Sequence, residues 1–178
     1  MKLNFNFYKD NGPLQNLRRT WNQLKQLREQ KDEITRETVS IISRLGKIGE
    51  LHDYVSIGDN GKLVLSLRES LQMNGQVYIV HDVNPTSTDM AVILERGSVD
   101  PMGIFVPIDY SQSVADEWSI NSNSIDLVTM NQGLHHLPQS HLLEFVGEVY
   151  RILRPGGLFI VREHDATDLA SSQNDVRY

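Results

Sequence analysis

Ser124-Ile-Asp-Leu-Val-Thr-Met-Asn-Gln-Gly-Leu-His-His-Leu-Pro138 is followed after a short interval by Leu153-Arg-Pro-Gly-Gly-Leu-Phe-Ile-Val-Arg-Glu-His-Asp165. Two apolar runs, Ile125–Met130 and Leu158–Val161, flank one amphipathic segment. Leu142, Val146, Val149 and Leu153 recur at helical spacing, which predicts a helix with those residues on its buried face. Ser140 suits the N-cap, and Glu144 falls in the first turn, where the helix dipole favours a negative charge. Pro155 is expected to end the helix, since proline has no N–H and biases its predecessor away from helix. Gly156 and Gly157 then allow the chain to reverse. The result is a strand–helix–strand unit with parallel strands and a right-handed crossover.

The wording of this unit resembles the class I S-adenosylmethionine-dependent methyltransferases. In that family an Asp-Leu-Val strand core, a Leu-His-His-Leu-Pro loop and a Leu-Arg-Pro-Gly-Gly turn follow one another. Here they are Asp126–Val128, Leu134–Pro138 and Leu153–Gly157, in the same order. The resemblance implies an α/β, Rossmann-like doubly wound, mostly parallel sheet. About five strands of it can be read, spanning Leu51–Asp165. It also implies S-adenosyl-L-methionine as cofactor and methyl transfer as the activity.

Size and composition agree with that expectation. The 178 residues suffice for one domain with a core, and their 39% hydrophobic and 22% charged content is ordinary for a globular protein. A net charge of −6 disfavours a nucleic-acid partner, which usually meets a basic face. With no cysteine, disulfides and thiolate metal sites are excluded. Residues 1–10 lack the apolar core of a secretory signal, and no run is long enough to span a bilayer, so a cytoplasmic location is expected.

Residues 1–50 read as a helical extension. Leu3, Phe5 and Phe7 alternate with polar residues in a short strand or arm, and Pro13 is read as a break. Two helices are expected beyond it. One is Leu14–Lys31, with Leu17, Trp21 and Leu24 on a stripe. The other is Asp32–Leu45, with Ile34, Ile41, Ile42 and Leu45 buried and Gly46 as the stop. They are expected to pack on the sheet or, alternatively, to serve as a substrate lid or partner-binding arm. Residues 51–165 form the Rossmann-like domain. Tyr54–Ile57 is its first strand, and Leu63, Leu67 and Leu71 mark a helix ended by Asn74-Gly75. Val77–Val80, Ile104–Ile108 and helix Asp89–Arg96 continue the alternation, with a short helix expected over Ser111–Trp118.

Between the first strand and helix stand Gly58, Asp59, Asn60 and Gly61, able to present backbone N–H groups to a polar ligand. The resemblance aligns this turn with the family's glycine motif, but Ser56 stands at its acidic position, Asn60 at its second glycine and Lys62 at its third. Asn tolerates a left-handed backbone, so the turn is expected to survive. By position in the family pattern, Asp82 with Val83 would accept the cofactor's ribose hydroxyls. Asp109 would lie near the adenine amine with Tyr110 against the ring, and Asn131 and Gln132 near the methionyl part or the substrate. His135, Glu163 and His164 are substrate-side candidates; for the last two, solvated charge at a strand end is the preferred account. His135, His136 and His141 invite a metal reading, but no carboxylate is spaced with them and none is expected.

Residues 166–178 are polar and too short for the two closing strands that the family usually carries. The fifth strand would then present an open edge. A fragment of a longer enzyme, a partner or second copy covering the edge, and a non-catalytic methyltransferase-like module all satisfy this. The acceptor is not encoded in any recognisable pattern. A nicotinamide-dependent oxidoreductase is disfavoured by the glycine spacing.

Overall fold

A computed structural model describes residues 13–84, 90–111, 118–131 and 133–163. The arm over residues 1–12, the tail beyond 163 and most of the helix expected over 111–118 lie outside them. The elements run α1 (Pro13–Arg44), β1 (Tyr54–Ile57), α2 (Val64–Leu71), β2 (Val77–His81), α3 (Met90–Arg96), β3 (Ile104–Pro107), β4 (Ile125–Asn131), α4 (Leu142–Ile152) and β5 (Leu153–Arg162). One 3-10 turn, Leu134–His136, joins β4 to α4.

All strand pairs are parallel, in the order β3-β2-β1-β4-β5. Such strands need crossovers, and buried on both faces they read as continuous apolar runs rather than alternation. Tyr54, Val77, Ile79 and Leu127 face α1 and α2, while Val55, Ile57, Val128 and Met130 face α4. From β1 the chain winds one way through β2 to β3, then returns past β1 to build β4 and β5. The direction therefore reverses between β1 and β4, and open α/β sheets bind ligands at the carboxyl end of such a switch point.

Four expectations are corrected. The two N-terminal helices are one, Pro13–Arg44. No Gly or Pro interrupts the segment around Asp32, so the hydrogen-bond ladder continues through it. Pro13 occupies the first helical position, where its missing N–H costs nothing. The end at Gly46 holds: Gly46 has φ +68°, and Lys47 N–H reaches Ile42 O (3.1 Å) in a Schellman closure. Second, α4 starts at Leu142 without a side-chain cap, and Ser140 precedes it. Its buried face is Phe145, Val149 and Ile152, with Val146 42% exposed. The aromatic ring at 145, edge-on to Trp118 at 5.8 Å, turns the helix away from the expected stripe.

Third, Pro155 lies inside β5. Leu153 pairs with Ile125 and Leu158 with Leu127, so Arg154–Gly157 bulge out of the ladder, which is where a strand tolerates proline. Gly156 (φ +81°) makes the bend. The bulge sends Arg154 to Asp126 (2.7 Å) and Asp53 (2.8 Å), while Asp126 also accepts the N–H groups of His52 and Asp53. Fourth, α2 is closed by Gln72 in the left-handed region, ahead of Asn74-Gly75.

Candidate cofactor cleft at the carboxyl edge

Gly58 leaves β1 with φ +77° and donates its N–H to Val80 O (2.9 Å). The second left-handed residue of the turn is Gly61 (φ +86°), not Asn60. Asn60 instead ties the turn to α3, its amide donating to Glu95 Oε2 (2.9 Å). Asp59 is buried, and its Oδ1 accepts the N–H groups of Gly61 (2.7 Å) and Lys62 (3.2 Å). Its Oδ2 has no hydrogen-bond partner among the described residues. At the end of neighbouring β4, Asn131 is buried with its side-chain N–H₂ likewise unpartnered. A buried polar group normally has a partner. Here an acceptor in the turn after β1 and a donor at the end of β4 lack partners beside the switch point.

Space at this edge is tight by composition. A Cβ on Gly58 would come within 3.3 Å of the Tyr110 hydroxyl and 4.0 Å of Gly133 Cα, and one on Gly133 within 2.9 Å of Met130 Cε. Tyr110 thus reaches from the end of β3 to the glycine turn. Burial pushes its phenol up to about 12, helped by the carboxylates of Asp82 and Asp59. The hydroxyl therefore stays protonated and able to donate. Gly58, Asp59, Tyr110 and Asn131 form one group, with the Asp82 charge acting on it.

Other candidates sit at its margin. The Asp82 side chain is largely exposed, 2.9 Å from His81 Nδ1, and Val83 is exposed. Asp109 folds back on its own turn, Oδ1 accepting from Ser111 N–H (2.9 Å) and Oγ (2.7 Å). Gln132 and His164 lie outside the described residues. Glu163, at the end of β5, joins the loop after β4: its Oε2 accepts His135 Nδ1–H at 3.0 Å and its Oε1 accepts Leu134 N–H. Partial burial works to raise this carboxyl, but His135 and the N–H donors of Leu134 and Gly133 outweigh it and hold it below the usual range.

His136 lies between the two groups, its ring centroid 4.2 Å from that of His135 and 6.3 Å from Tyr110. Sequence reasoning placed Gly133 at this edge but missed His136 as part of the rim and the pairing of His135 with Glu163. Adjacent carboxyl ends of β4 and β5 were the available signal, because parallel neighbours bring their following residues together.

A family model described as a methyltransferase domain matches residues 57–161. A ubiquinone/menaquinone biosynthesis C-methyltransferase UbiE of Pseudoalteromonas translucida is 30% identical over 106 residues, covering 60% of this chain and 39% of the relative. The UbiE of Brucella abortus is 30% identical over 112 residues, 63% of this chain and 39% of the relative. The chain thus spans about two fifths of the length of these relatives. In fold it is similar to a SAM dependent methyltransferase from Archaeoglobus fulgidus (TM-score 0.50, 14% identity, 79% of this chain and 57% of that one). It is also similar to the PH0226 protein of Pyrococcus horikoshii OT3 (TM-score 0.51, 17% identity, 80% and 64%). With the matched residues running from the end of β1 to β5, the chain belongs to the class I methyltransferase-domain family.

Proposed function

We propose that this chain binds S-adenosyl-L-methionine at the β1/β4 switch point and serves methyl transfer to a carbon of a reduced-quinone-like ring. The observation that carries the cofactor part is the pair of open groups, Asp59 Oδ2 and Asn131 N–H₂, beside the glycine turn. A buried acceptor and donor suit the ammonium and carboxylate of an amino-acid end. Gly58 and Gly61 would admit it, Asp82 would accept ribose hydroxyls, and Tyr110 would line the nucleoside side. When bound, the cofactor supplies an electrophilic methyl group on a sulfonium.

The chain's own contribution is then positioning and proton handling. A ring carbon that gains a methyl group must lose a proton. His135, braced at Nδ1 by the Glu163 carboxylate, is the base placed at this rim. The ring acceptor rests on the names of the curated relatives, which are C-methyltransferases of quinone biosynthesis.

Calorimetric titration with S-adenosylmethionine and S-adenosylhomocysteine tests the cofactor site. Asp59→Asn keeps the Oδ1 turn acceptor and replaces the open oxygen by a donor. It should weaken binding by about 1–3 kcal/mol, the scale of a lost hydrogen bond to a charged group. Absence of binding in the folded wild-type chain would leave a methyltransferase-like module without cofactor. For the base, His135→Gln should depress methylation of a naphthohydroquinone probe by about 10²–10⁴-fold without changing cofactor affinity.

A further inference from the structure

α1 is 32 residues long, about 48 Å, yet only its second half is buried against the sheet. Ile34 and Ile42 pack with Leu51, Tyr54 and Leu127, and Thr35 Oγ1 meets Ser66 Oγ at 2.9 Å. The helix hands the chain to β1 at the amino edge of the sheet, so it runs opposite to the strands. At Lys31, whose Nζ donates to Glu95 O (2.9 Å), it has reached the level of the glycine turn; Asp59 is among the charges acting on that ammonium. Leu24, Leu27 and Arg28 still border Leu65 of α2 and Leu94 of α3, so the 11 residues before Leu24 continue for roughly 16 Å beyond those elements.

The first half of α1, whose leading turns project, differs from the rest of the chain in charge. Residues 13–31 hold five basic side chains (Arg18, Arg19, Lys25, Arg28, Lys31) against Glu29 alone, a balance of +4; the remaining residues hold 12 basic against 22 acidic, a balance of −10. Arg18, Arg19, Lys25 and Arg28 are exposed, with Lys25 3.7 Å from Glu29 in a solvated pair. Arg18, Lys25 and Arg28 flank Trp21 at i−3, i+4 and i+7, one side of the helix. Trp21 is 70% exposed, and Val83 (64%) and Met90 (62%) stand exposed on the same edge, after β2 and at the start of α3. No helix among the described residues is long and apolar enough to cross a membrane.

We propose that the first half of α1 is an interfacial anchor that sets the mouth of the cleft against an anionic lipid surface. Basic side chains supply attraction to acidic headgroups, and an indole seats at the headgroup level. A nucleic acid would also meet the charge, but it gives no account of three exposed apolar side chains on one edge. The anchor goes beyond the methyl-transfer reading, and its test uses no cofactor, so the two fail separately.

The test is flotation of the whole chain with vesicles of phosphatidylcholine containing about a third phosphatidylglycerol, against pure phosphatidylcholine. Binding to the acidic vesicles only, weakened by salt, is expected, with a blue shift of Trp21 emission; Trp118 is buried and should not respond. The triple change Arg18→Glu, Lys25→Glu, Arg28→Glu alters exposed positions, so the thermal midpoint should hold. At about fivefold per charge, vesicle affinity should fall by at least roughly a hundredfold. No flotation would overturn the proposal. So would binding to single-stranded RNA without vesicle binding, or a concentration-dependent dimer that shields Trp21.

Discussion

At Asp126 three donors meet one carboxylate group: the guanidinium of Arg154 and the N–H groups of His52 and Asp53, with the Asp53 side chain itself bound by Arg154. Burial works to raise the Asp126 carboxyl, but Arg154 and the two backbone donors outweigh it and hold it below the ordinary value. A depressed carboxylate contributes stability that is complete above the unfolded pKa and is lost as pH falls through the folded one. Asp126 and Glu163 are both of this kind, so stability should decline below about pH 4, near the unfolded values. Urea titrations over that range should show the decline, flattened in Asp126→Asn. At pH 7 the same change should cost about 2 kcal/mol. The Asp-Leu-Val wording identified the strand but not this role, because two of the donors lie 73 and 74 residues away and leave no local trace. Asp59 was legible as part of a glycine turn; that its second oxygen would remain open depended on the turn's three-dimensional closure.

Among the elements, α4 separates periodicity from packing. Apolar residues at 142, 143, 145, 146, 149, 152 and 153 permit more than one buried stripe, and spacing alone cannot choose between them. The choice is made by Phe145, which packs between Trp118 and Phe159 on elements the local pattern does not include. Phe145→Ala should therefore cost about 3–5 kcal/mol, while Val146→Ala should change stability by less than about 1 kcal/mol. Equal costs in denaturant titrations would return the helix to the expected stripe. Gly46 offers the converse case, since its signal was local and was readable. Gly46→Ala meets no neighbour but must hold φ +68°, at a cost of about 1 kcal/mol measured the same way. The continuity of α1 was hidden for a related reason: a change of composition at Asp32 imitates a cap, while nothing there breaks the backbone ladder.

For the whole molecule, the alternation of strands and helices with the family resemblance made the doubly wound parallel sheet and its carboxyl edge legible, while the switch point between β1 and β4 follows from the observed strand order. Less of the cleft's content was legible. His135 and Glu163 meet only because β4 and β5 are neighbours, and Tyr110 reaches from the end of β3 across β2 to Gly58. The projection of α1 could not be read at all, since burial of one half and exposure of the other follow from where the sheet ends. If the open groups of the cleft take S-adenosylhomocysteine, a ligand concentration of a hundred times Kd should stabilise the fold by about 2.7 kcal/mol. That would raise the thermal midpoint by roughly 5–10 °C in calorimetric scans. An unchanged midpoint would argue against the site.

The same strand order has a kinetic consequence. β1 pairs with β2 soon after both exist, Tyr54 against Val77, but its other edge waits for β4, with Tyr54 against Leu127. During synthesis at about 5–20 residues per second, those 73 residues of separation leave one side of β1 unpaired for roughly 4–15 s. Closing so long a loop is also a slow step when the whole chain refolds. The seam that holds Gly58 and Asn131 face to face is thus the last part of the sheet's centre to form. Loss of β4 pairing would disable the cleft while leaving β1, β2 and β3 together.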